Sequence, residues 1–266
     1  MDLGLPGKTA VVTGASQGIG RAVARALYRE GVSVALVARS EERLQEAVRH
    51  IGGKSRAEGA SALYPLVADL SLRAEVERAA AEAIRLLGHV DILVNNAAQA
   101  KTGNFFAMTE GDLQEVWQVK AFGYVRMVRA LGPHMMERRS GSIINIIGNT
   151  ARTPTEDFII GSMVNAALVN FTRGVSRELA RHNVRINAIS PGWTMTERQE
   201  RALAMRAASE HVAPEEVERR EARAIPLRRL VSMDEIAALT LLLASDVMPA
   251  MTGEDVILDG GATPAI

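Results

Sequence analysis

A glycine-rich turn near the start of the chain has the residue types and spacing of a phosphate-binding loop. Residues 13–20 read TGASQGIG and follow a short apolar run. Gly14 permits a tight turn, Gly18 lets backbone N–H groups approach a pyrophosphate, and Gly20 lets the next helix pack closely on the strand. The N-terminus of that helix adds free N–H groups and a favourable dipole. Because the turn lies between a predicted strand and a predicted helix, the sequence predicts dinucleotide binding here.

The end of the second predicted strand indicates which dinucleotide is bound. An acid at this position would bind the ribose 2′-hydroxyl of NAD, whereas this chain has Arg39 followed by Ser40. A guanidinium suits a 2′-phosphate through paired charge-assisted hydrogen bonds, so the sequence favours NADP(H) over NAD(H). The alternative is that Arg39 is a surface residue that only neutralises Glu41 or Glu42.

The elements that must position these residues alternate along the chain. Short β-branched apolar runs are typical of buried strands, and apolar residues at helical spacing fill the segments between them. The strands are predicted at residues 8–13, 32–38, 62–67, 91–95, 142–147, 184–190 and 255–258. Helices are predicted at 18–29, after a Ser40 cap, and at 72–87, 112–136 with a bend at Gly123, 159–182 and 232–244. Such alternation implies an α/β fold with a parallel, doubly wound Rossmann-type sheet and helices on both faces.

One stretch interrupts the alternation. We predict a single domain over residues 1–266, with a charge-dense helical insertion at about residues 195–225. The insertion is either a solvated helical insertion or a mobile lid. A lid would cover the carboxyl edge of the sheet, where open α/β sheets bind ligands. Its position after the sixth strand favours the lid.

Composition excludes several classes of protein. Thirty-one basic residues balance thirty-one acidic ones, so net charge provides no attraction to nucleic acid or to an anionic membrane. Charges interrupt every long apolar run, and we expect neither a membrane span nor a signal peptide. The absence of cysteine excludes disulfides and thiolate metal sites and fits a cytoplasmic location. The five histidines show no metal-ligand spacing, so no metal site is predicted.

In combination, five segments resemble the short-chain dehydrogenase/reductase family over nearly the whole chain. They are the turn at residues 13–20, Asp69-Leu70, NNAA at 95–98, PGWTMT at 191–196 and LDGG at 258–261. The resemblance implies seven parallel strands, a nicotinamide cofactor, a small-molecule substrate, and hydride transfer between a carbonyl and an alcohol. It also implies a homotetramer or dimer that pairs the helices at 112–136 and 159–182. The cofactor contacts that it implies, together with the Arg39 prediction, are Gly14, Ser16, Gln17, Gly18, Ile19, Gly20, Arg39, Ser40, Asp69, Leu70, Asn96, Ala97, Pro191, Gly192, Thr194 and Thr196.

The family transfers hydride with an asparagine, a serine, a tyrosine and a lysine, and this chain departs from that pattern at all four positions. The small-small-Leu run at residues 166–168 puts the lysine position at Asn165 and the tyrosine position at Gly161. The serine position falls on Gly148 and the asparagine position on Lys120. No tyrosine follows Tyr124, so no shift along the helix restores the motif. Two glycines in place of two catalytic side chains predict an enlarged site.

Three functions therefore remain open. The leading hypothesis is an oxidoreductase with substitute residues, in which desolvation lowers the pKa of Lys120 and makes it a proton donor. Ser162, Asn149, Asn165 and Asp157 would supply hydrogen bonds. The alternative for Lys120 is a structural lysine paired with a carboxylate. The second hypothesis is an NADP(H)-binding sensor or partner subunit without hydride transfer, and the third is a lyase or isomerase on the same scaffold.

Overall fold

In the computed structural model, the seven strands of the described residues belong to one parallel sheet. The structure describes residues 2–52 and 61–264, so both ends of the predicted 1–266 domain lie outside the described residues. The strands are β1 (Thr9–Thr13), β2 (Ser33–Ala38), β3 (Leu63–Val67), β4 (Ile92–Asn95), β5 (Gly141–Ile146), β6 (Val184–Pro191) and β7 (Asp255–Leu258). Their order is β3-β2-β1-β4-β5-β6-β7 and every pairing is parallel. The predicted doubly wound, Rossmann-type sheet is confirmed, with each strand end within one residue of its predicted place.

Helices cover both faces of the sheet because its strands are apolar on both sides. They are α1 (Gly18–Arg29), α2 (Glu41–Gly52), α3 (Arg73–Leu87), α4 (Glu110–Val116), α5 (Gly123–Arg138), α6 (Ile159–Ala180), α7 (Glu197–Glu210), α8 (Pro214–Ala224) and α9 (Met233–Ala244). One core lies under α1, α2 and α9, and a second lies under α3 and α5. Strands β2 and β3 are added on one side of β1, and β4 to β7 are added on the other side. This change in the order of the strands opens a crevice at the carboxyl ends of β1 and β4.

The helix predicted at residues 112–136, with a bend at Gly123, is interrupted directly before that residue. A π-helical turn, Trp117–Phe122, joins α4 to α5, and apolar spacing alone does not reveal such a turn. A Cβ atom on Gly123 would lie 3.2 Å from Cβ of Leu70, so glycine serves close packing there. The π turn is important below because it carries Lys120.

The predicted insertion consists of the two helices α7 and α8. Leu203, Ala207 and Val217 form a small apolar cluster between them. The base of the insertion is clamped, because the backbone N–H of Val231 donates to the carbonyl of Trp193 at 2.9 Å. The segment thus leaves and rejoins the body of the protein at one place, beside the carboxyl end of β6.

Among the residues that the structure describes, no helix combines the length and the apolar character that crossing a membrane requires.

Candidate active site

The glycine-rich turn forms a tight cradle at the carboxyl end of β1. Gly14 and Gly18 have φ angles of +65° and +58°, a backbone conformation that favours glycine. A Cβ atom on Gly14 would lie 2.8 Å from Cα of Ala97, and one on Gly20 would collide with the carbonyl of Gly14. Close backbone approach therefore requires glycine at positions 14 and 20, whereas a positive φ favours it at position 18.

Thr13 organises the cradle, and the sequence analysis did not assign it a role. Its fully buried hydroxyl accepts hydrogen bonds from the backbone N–H groups of Asn96 at 2.9 Å and Ala97 at 3.2 Å. The Asn96 amide in turn donates to the carbonyls of Thr13 at 3.1 Å and Gly14 at 3.2 Å. A threonine directly before the first glycine was the available signal.

The remaining predicted cofactor residues follow the carboxyl ends of strands, which meet at one edge of a parallel sheet. Ser16, Gln17 and Ile19 are half-buried at the start of α1. Asp69 follows β3, where its carboxylate accepts from the N–H of Ser71 at 2.8 Å, and Leu70 beside it is buried. The structure thus brings the turn and these residues to the same edge.

The segment after β6 is held by one hydrogen bond to β7 and by hydrogen bonds within itself. Pro191 ends the strand, and the N–H of Gly192 donates to the carbonyl of Leu258 at 2.9 Å. The Thr194 hydroxyl donates to the carbonyl of Gly192 at 3.0 Å. Thr196 caps α7 by accepting from the N–H of Gln199 at 3.3 Å. These bonds fix the start of α7 next to the sheet edge.

Arg39 is exposed directly after β2. Its guanidinium is 3.5 Å from Oε1 of Gln99, and within the described ranges it forms no ion pair with Glu41 or Glu42. No ion pair therefore supports the interpretation of Arg39 as a surface residue that neutralises Glu41 or Glu42. Ser40 accepts from the N–H of Arg43 at 3.3 Å, which confirms the predicted cap of α2.

Lys120 projects from the π turn into the protein and is only 8% exposed. Its Nζ atom donates to the carbonyl oxygen of Ile147 at 2.7 Å and to Oδ1 of Asn165 at 2.7 Å. In the part of the chain that the structure describes, no carboxylate pairs with it. The carboxylate partner expected for a structural lysine is therefore replaced by a carbonyl oxygen and an amide oxygen.

Burial changes the acid–base behaviour of Lys120. Desolvation, assisted by the positive charge of Arg198, lowers the pKa of Lys120 to about 7. Both its ammonium and its neutral amine are therefore present near neutral pH. Tyr124, by contrast, is fully buried, donates to the carbonyl of Ile146 at 2.7 Å, and has its pKa raised by burial. Tyr124 is a structural residue, whereas Lys120 is able to exchange a proton.

The amide of Asn165 is held between two partners. Its Oδ1 accepts from Lys120, and its Nδ2 donates to the hydroxyl of Thr150 at 2.8 Å. Gly148 has φ of +147°, and a Cβ atom there would lie 2.8 Å from Nδ2 of Asn165. The Asn165 amide therefore lies against Gly148 and fills the space beside it.

The space beside Gly161 is filled as well. A Cβ atom on Gly161 would collide with the ring of Phe158, the residue that precedes α6. The predicted enlarged site at Gly148 and Gly161 is therefore wrong. Neighbouring side chains pack into the room that a missing side chain leaves, because an empty cavity forfeits dispersion contacts.

This packing predicts a stability effect of opposite sign at two glycines of α6. Gly161→Ala destabilises the protein by about 1 kcal/mol or more, since Phe158 must move. Gly174→Ala, at an exposed position with no atom within 4 Å of the added Cβ, stabilises it by about 0.5–1 kcal/mol through helix propensity. Urea denaturation of both variants and of Phe158→Ala/Gly161→Ala checks this. A Gly161→Ala cost that persists at full size without the Phe158 ring would contradict it.

In the described part of the chain, the other three predicted polar residues form no hydrogen bond with Lys120. The buried Ser162 hydroxyl donates to the carbonyl of Phe158 at 2.9 Å, within its own helix. Asp157 is exposed. The Asn149 amide donates to the carboxylate of Asp259 at 3.2 Å, and Asp259 is only 5% exposed.

Asp259 anchors Asn149 and remains ionised. Its burial opposes ionisation, but hydrogen bonds from Thr263, Asn149 and the N–H of Gly261 outweigh it and lower the pKa of Asp259. The LDGG segment was recognised in the sequence, whereas this contact, between residues far apart in the chain, was not. Over the described ranges, no group of three or more His, Cys, Asp or Glu side chains is placed to hold a metal ion.

Comparisons with known proteins agree with this fold. Residues 14–263 match the family model described as Enoyl-(Acyl carrier protein) reductase. The chain is 35% identical to oxidoreductase UcpA of Salmonella typhimurium, over 97% of this chain and 95% of that protein. It is 34% identical to 2,3-dihydro-2,3-dihydroxybenzoate dehydrogenase of Bacillus subtilis, over 98% and 97% of the two chains. Its structure resembles that of L-sorbose reductase from Gluconobacter frateurii, complexed with NADPH and L-sorbose, with a TM-score of 0.94, 28% identity and complete coverage of both chains (100% each).

Proposed function

Because the chain belongs to the short-chain dehydrogenase/reductase family, we propose that it is an NADP(H)-dependent oxidoreductase acting on a small carbonyl or alcohol substrate. One observation carries the proposal. The glycine cradle follows β1, and Lys120, a buried lysine with a pKa of about 7, comes after β4, the strand that pairs with β1. The three relatives named above are oxidoreductases by name. The sensor hypothesis and the lyase or isomerase hypothesis gain no support from them.

The residues present fit a dinucleotide. A Cβ atom on Gly14 or Gly20 would obstruct the turn, so the glycines keep it compact enough for a pyrophosphate to approach the N-terminus of α1. The exposed guanidinium of Arg39 has no carboxylate partner among the described residues and suits a 2′-phosphate. L-sorbose reductase, whose structure is similar, was crystallised with NADPH. These observations support NADP(H) over NAD(H).

Lys120 is the proposed acid–base residue. A bound nicotinamide supplies or accepts the hydride. An ammonium group has three N–H donors, and the contacts with Ile147 and Asn165 use two of them. The third is available to the substrate oxygen, to which Lys120 donates a proton in the reductive direction. A pKa of about 7 suits this role, because a general acid works best when its pKa lies near the working pH.

The neighbouring amides orient this lysine and the segment around it. Asn165, fixed by Thr150, holds the ammonium from the α6 side. Asn149, held by Asp259, is proposed to offer a hydrogen bond to the substrate beside Gly192, whose added Cβ would lie 3.6 Å from Nδ2 of Asn149. Ser162 stays a sequence prediction, because its hydroxyl bonds within its own helix.

The proposal extends to assembly and location. We propose one domain in which α7 and α8 act as the lid, a cytoplasmic location, and a homotetramer or dimer. Phe122 at the end of the π turn is 45% exposed and Met163 on α6 is 46% exposed. Large apolar side chains this exposed on neighbouring helices suit burial against another subunit.

A titration followed by an oxidation assay tests the function. We expect NADPH to bind with enhanced nicotinamide fluorescence and to be oxidised when ketones or aldehydes are added. NADH serves as the control cofactor and is expected to bind more weakly. Tight binding of NADPH with no oxidation across a broad carbonyl panel would contradict the oxidoreductase proposal, and no binding of either nucleotide would contradict the cofactor assignment.

A further inference from the structure

The carboxylate of Glu197, at the start of the proposed lid, is bound at the glycine-rich turn. The backbone N–H of Gly18 donates to Oε2 of Glu197 at 3.0 Å. The guanidinium of Arg21, in the first turn of α1, lies 2.5 Å from Oε1 of the same carboxylate. Glu197 is the first residue of α7, so this carboxylate ties the start of the lid helix to the glycine-rich turn.

The donors that hold this carboxylate are those that a phosphate group needs. The N-terminus of a helix favours an anion through its free N–H groups and its dipole. An arginine adds a charge-assisted hydrogen bond that suits carboxylate and phosphate oxygens equally. Both partners of the ion pair are partly buried, with side-chain exposures of 25% for Arg21 and 31% for Glu197, which reduces screening by solvent.

A cofactor pyrophosphate and Glu197 are unable to share these donors. The proposed dinucleotide, on which this inference rests, brings its pyrophosphate to the N-terminus of α1. Two anions at one N–H group repel each other, and the Gly18 N–H satisfies one acceptor at a time. One of the two must leave when the other binds.

We propose that the N–H of Gly18 and the guanidinium of Arg21 form the pyrophosphate site, which Glu197 occupies in the free protein. Cofactor binding replaces the Glu197 carboxylate with a phosphate and thereby releases the start of α7 from α1. Arg21 is thus a cofactor ligand, and Glu197 is an internal competitor that links lid position to cofactor binding. The apparent dissociation constant for NADPH includes the cost of displacing Glu197.

The two partners are expected to have opposite effects on binding, which separates this proposal from a merely structural ion pair. Glu197→Gln lowers the Kd for NADPH about fivefold or more, because the competing charge is gone. Arg21→Met raises the Kd about tenfold, because a charged phosphate ligand is lost. In the double variant the Kd stays above that of the wild type. A structural pair predicts that both single variants change the Kd in the same direction.

Two matched controls correct for net charge and for loss of an ion pair. Glu200→Gln removes the same charge from the first turn of α7, where Glu200 is exposed. Arg25→Met breaks the pair between Arg25 and Asp234, whose N–O distance is 2.7 Å, one turn further along α1. Both controls are expected to leave the Kd within about twofold of the wild-type value.

Hydrogen exchange provides a readout that requires no cofactor. Amide exchange in residues 197–210 is expected to rise in cofactor-free Glu197→Gln and Arg21→Met but not in the two controls. Unchanged exchange, or equal shifts of Kd in both variants, would overturn the inference while NADPH binding by the wild type left the proposed function standing. If NADPH bound neither the wild type nor any variant, both proposals would fail together.

Discussion

Replacing Lys120 by methionine is expected to lower kcat for carbonyl reduction about 10²–10⁴-fold, the usual contribution of a positioned acid or base. Methionine nearly matches the length of the side chain but has no proton to donate. NADPH affinity should change little, because the hydrogen bonds of Lys120, to Ile147 and Asn165, do not involve the glycine cradle. Steady-state kinetics together with NADPH titration separate the two effects. Full activity in this variant would eliminate Lys120 as the acid–base residue.

The pH profile gives a second check on the same residue. Reduction requires the protonated amine, and the pKa of Lys120 is lowered to about 7, so kcat/KM should fall as pH rises through about 7. Oxidation requires the neutral amine and should show the opposite dependence. Lys120→Arg is the matched variant, because it keeps the charge but holds its proton at every accessible pH. We expect it to be nearly as inactive as Lys120→Met and to lack this titration.

Lys120→Met is expected to gain stability although it loses activity. The folded-state pKa of Lys120, about 7, lies below its unfolded value of about 10.4, so the unfolded chain binds more protons between these pH values. The group therefore destabilises the protein at neutral pH, and the penalty fades as pH rises towards 10. Lys120→Met removes it, and Tm at pH 7 should rise by several degrees. A lower Tm would show that the hydrogen bonds of Lys120 outweigh its desolvation.

Replacing Arg39 by aspartate is expected to raise the Kd for NADPH about ten- to hundredfold, because a charge-assisted bond to the 2′-phosphate is lost and a like charge is introduced. The Kd for NADH should stay level or fall, since an acid after the second strand is able to bind the ribose 2′-hydroxyl. Fluorescence titration with both nucleotides measures the change in preference.

The control for this substitution is Arg49→Asp, which makes the same change of charge at an exposed position in the last turn of α2. It should leave the ratio of the two dissociation constants within about twofold of the wild-type ratio. An Arg39→Asp variant whose ratio matches that of Arg49→Asp would show that Arg39 does not read the 2′-phosphate. In that event the preference would have to come from the rest of the crevice.

Local sequence patterns were sufficient to predict the sheet and the glycine cradle. Strands and helices follow from the period of apolar residues, and the need for Gly14 and Gly20 follows from the backbone approach that a strand–turn–helix unit demands. Since parallel strands end at one edge, placing Asp69, Asn96 and Pro191 after strands also placed them at that edge. These features depend on residues that are close together in the chain, so they can be predicted from the sequence.

The contacts between residues that are far apart in the chain were determined only by the tertiary structure. The sequence located Lys120 and Asn165 but not their contact, which joins residues 45 positions apart. The packing of Phe158 beside Gly161, the burial that lowers the pKa of Lys120, and the capture of Glu197 by Gly18 all depend on how side chains share space. Burial and contact are properties of packed neighbours from different parts of the chain, and no local pattern encodes them.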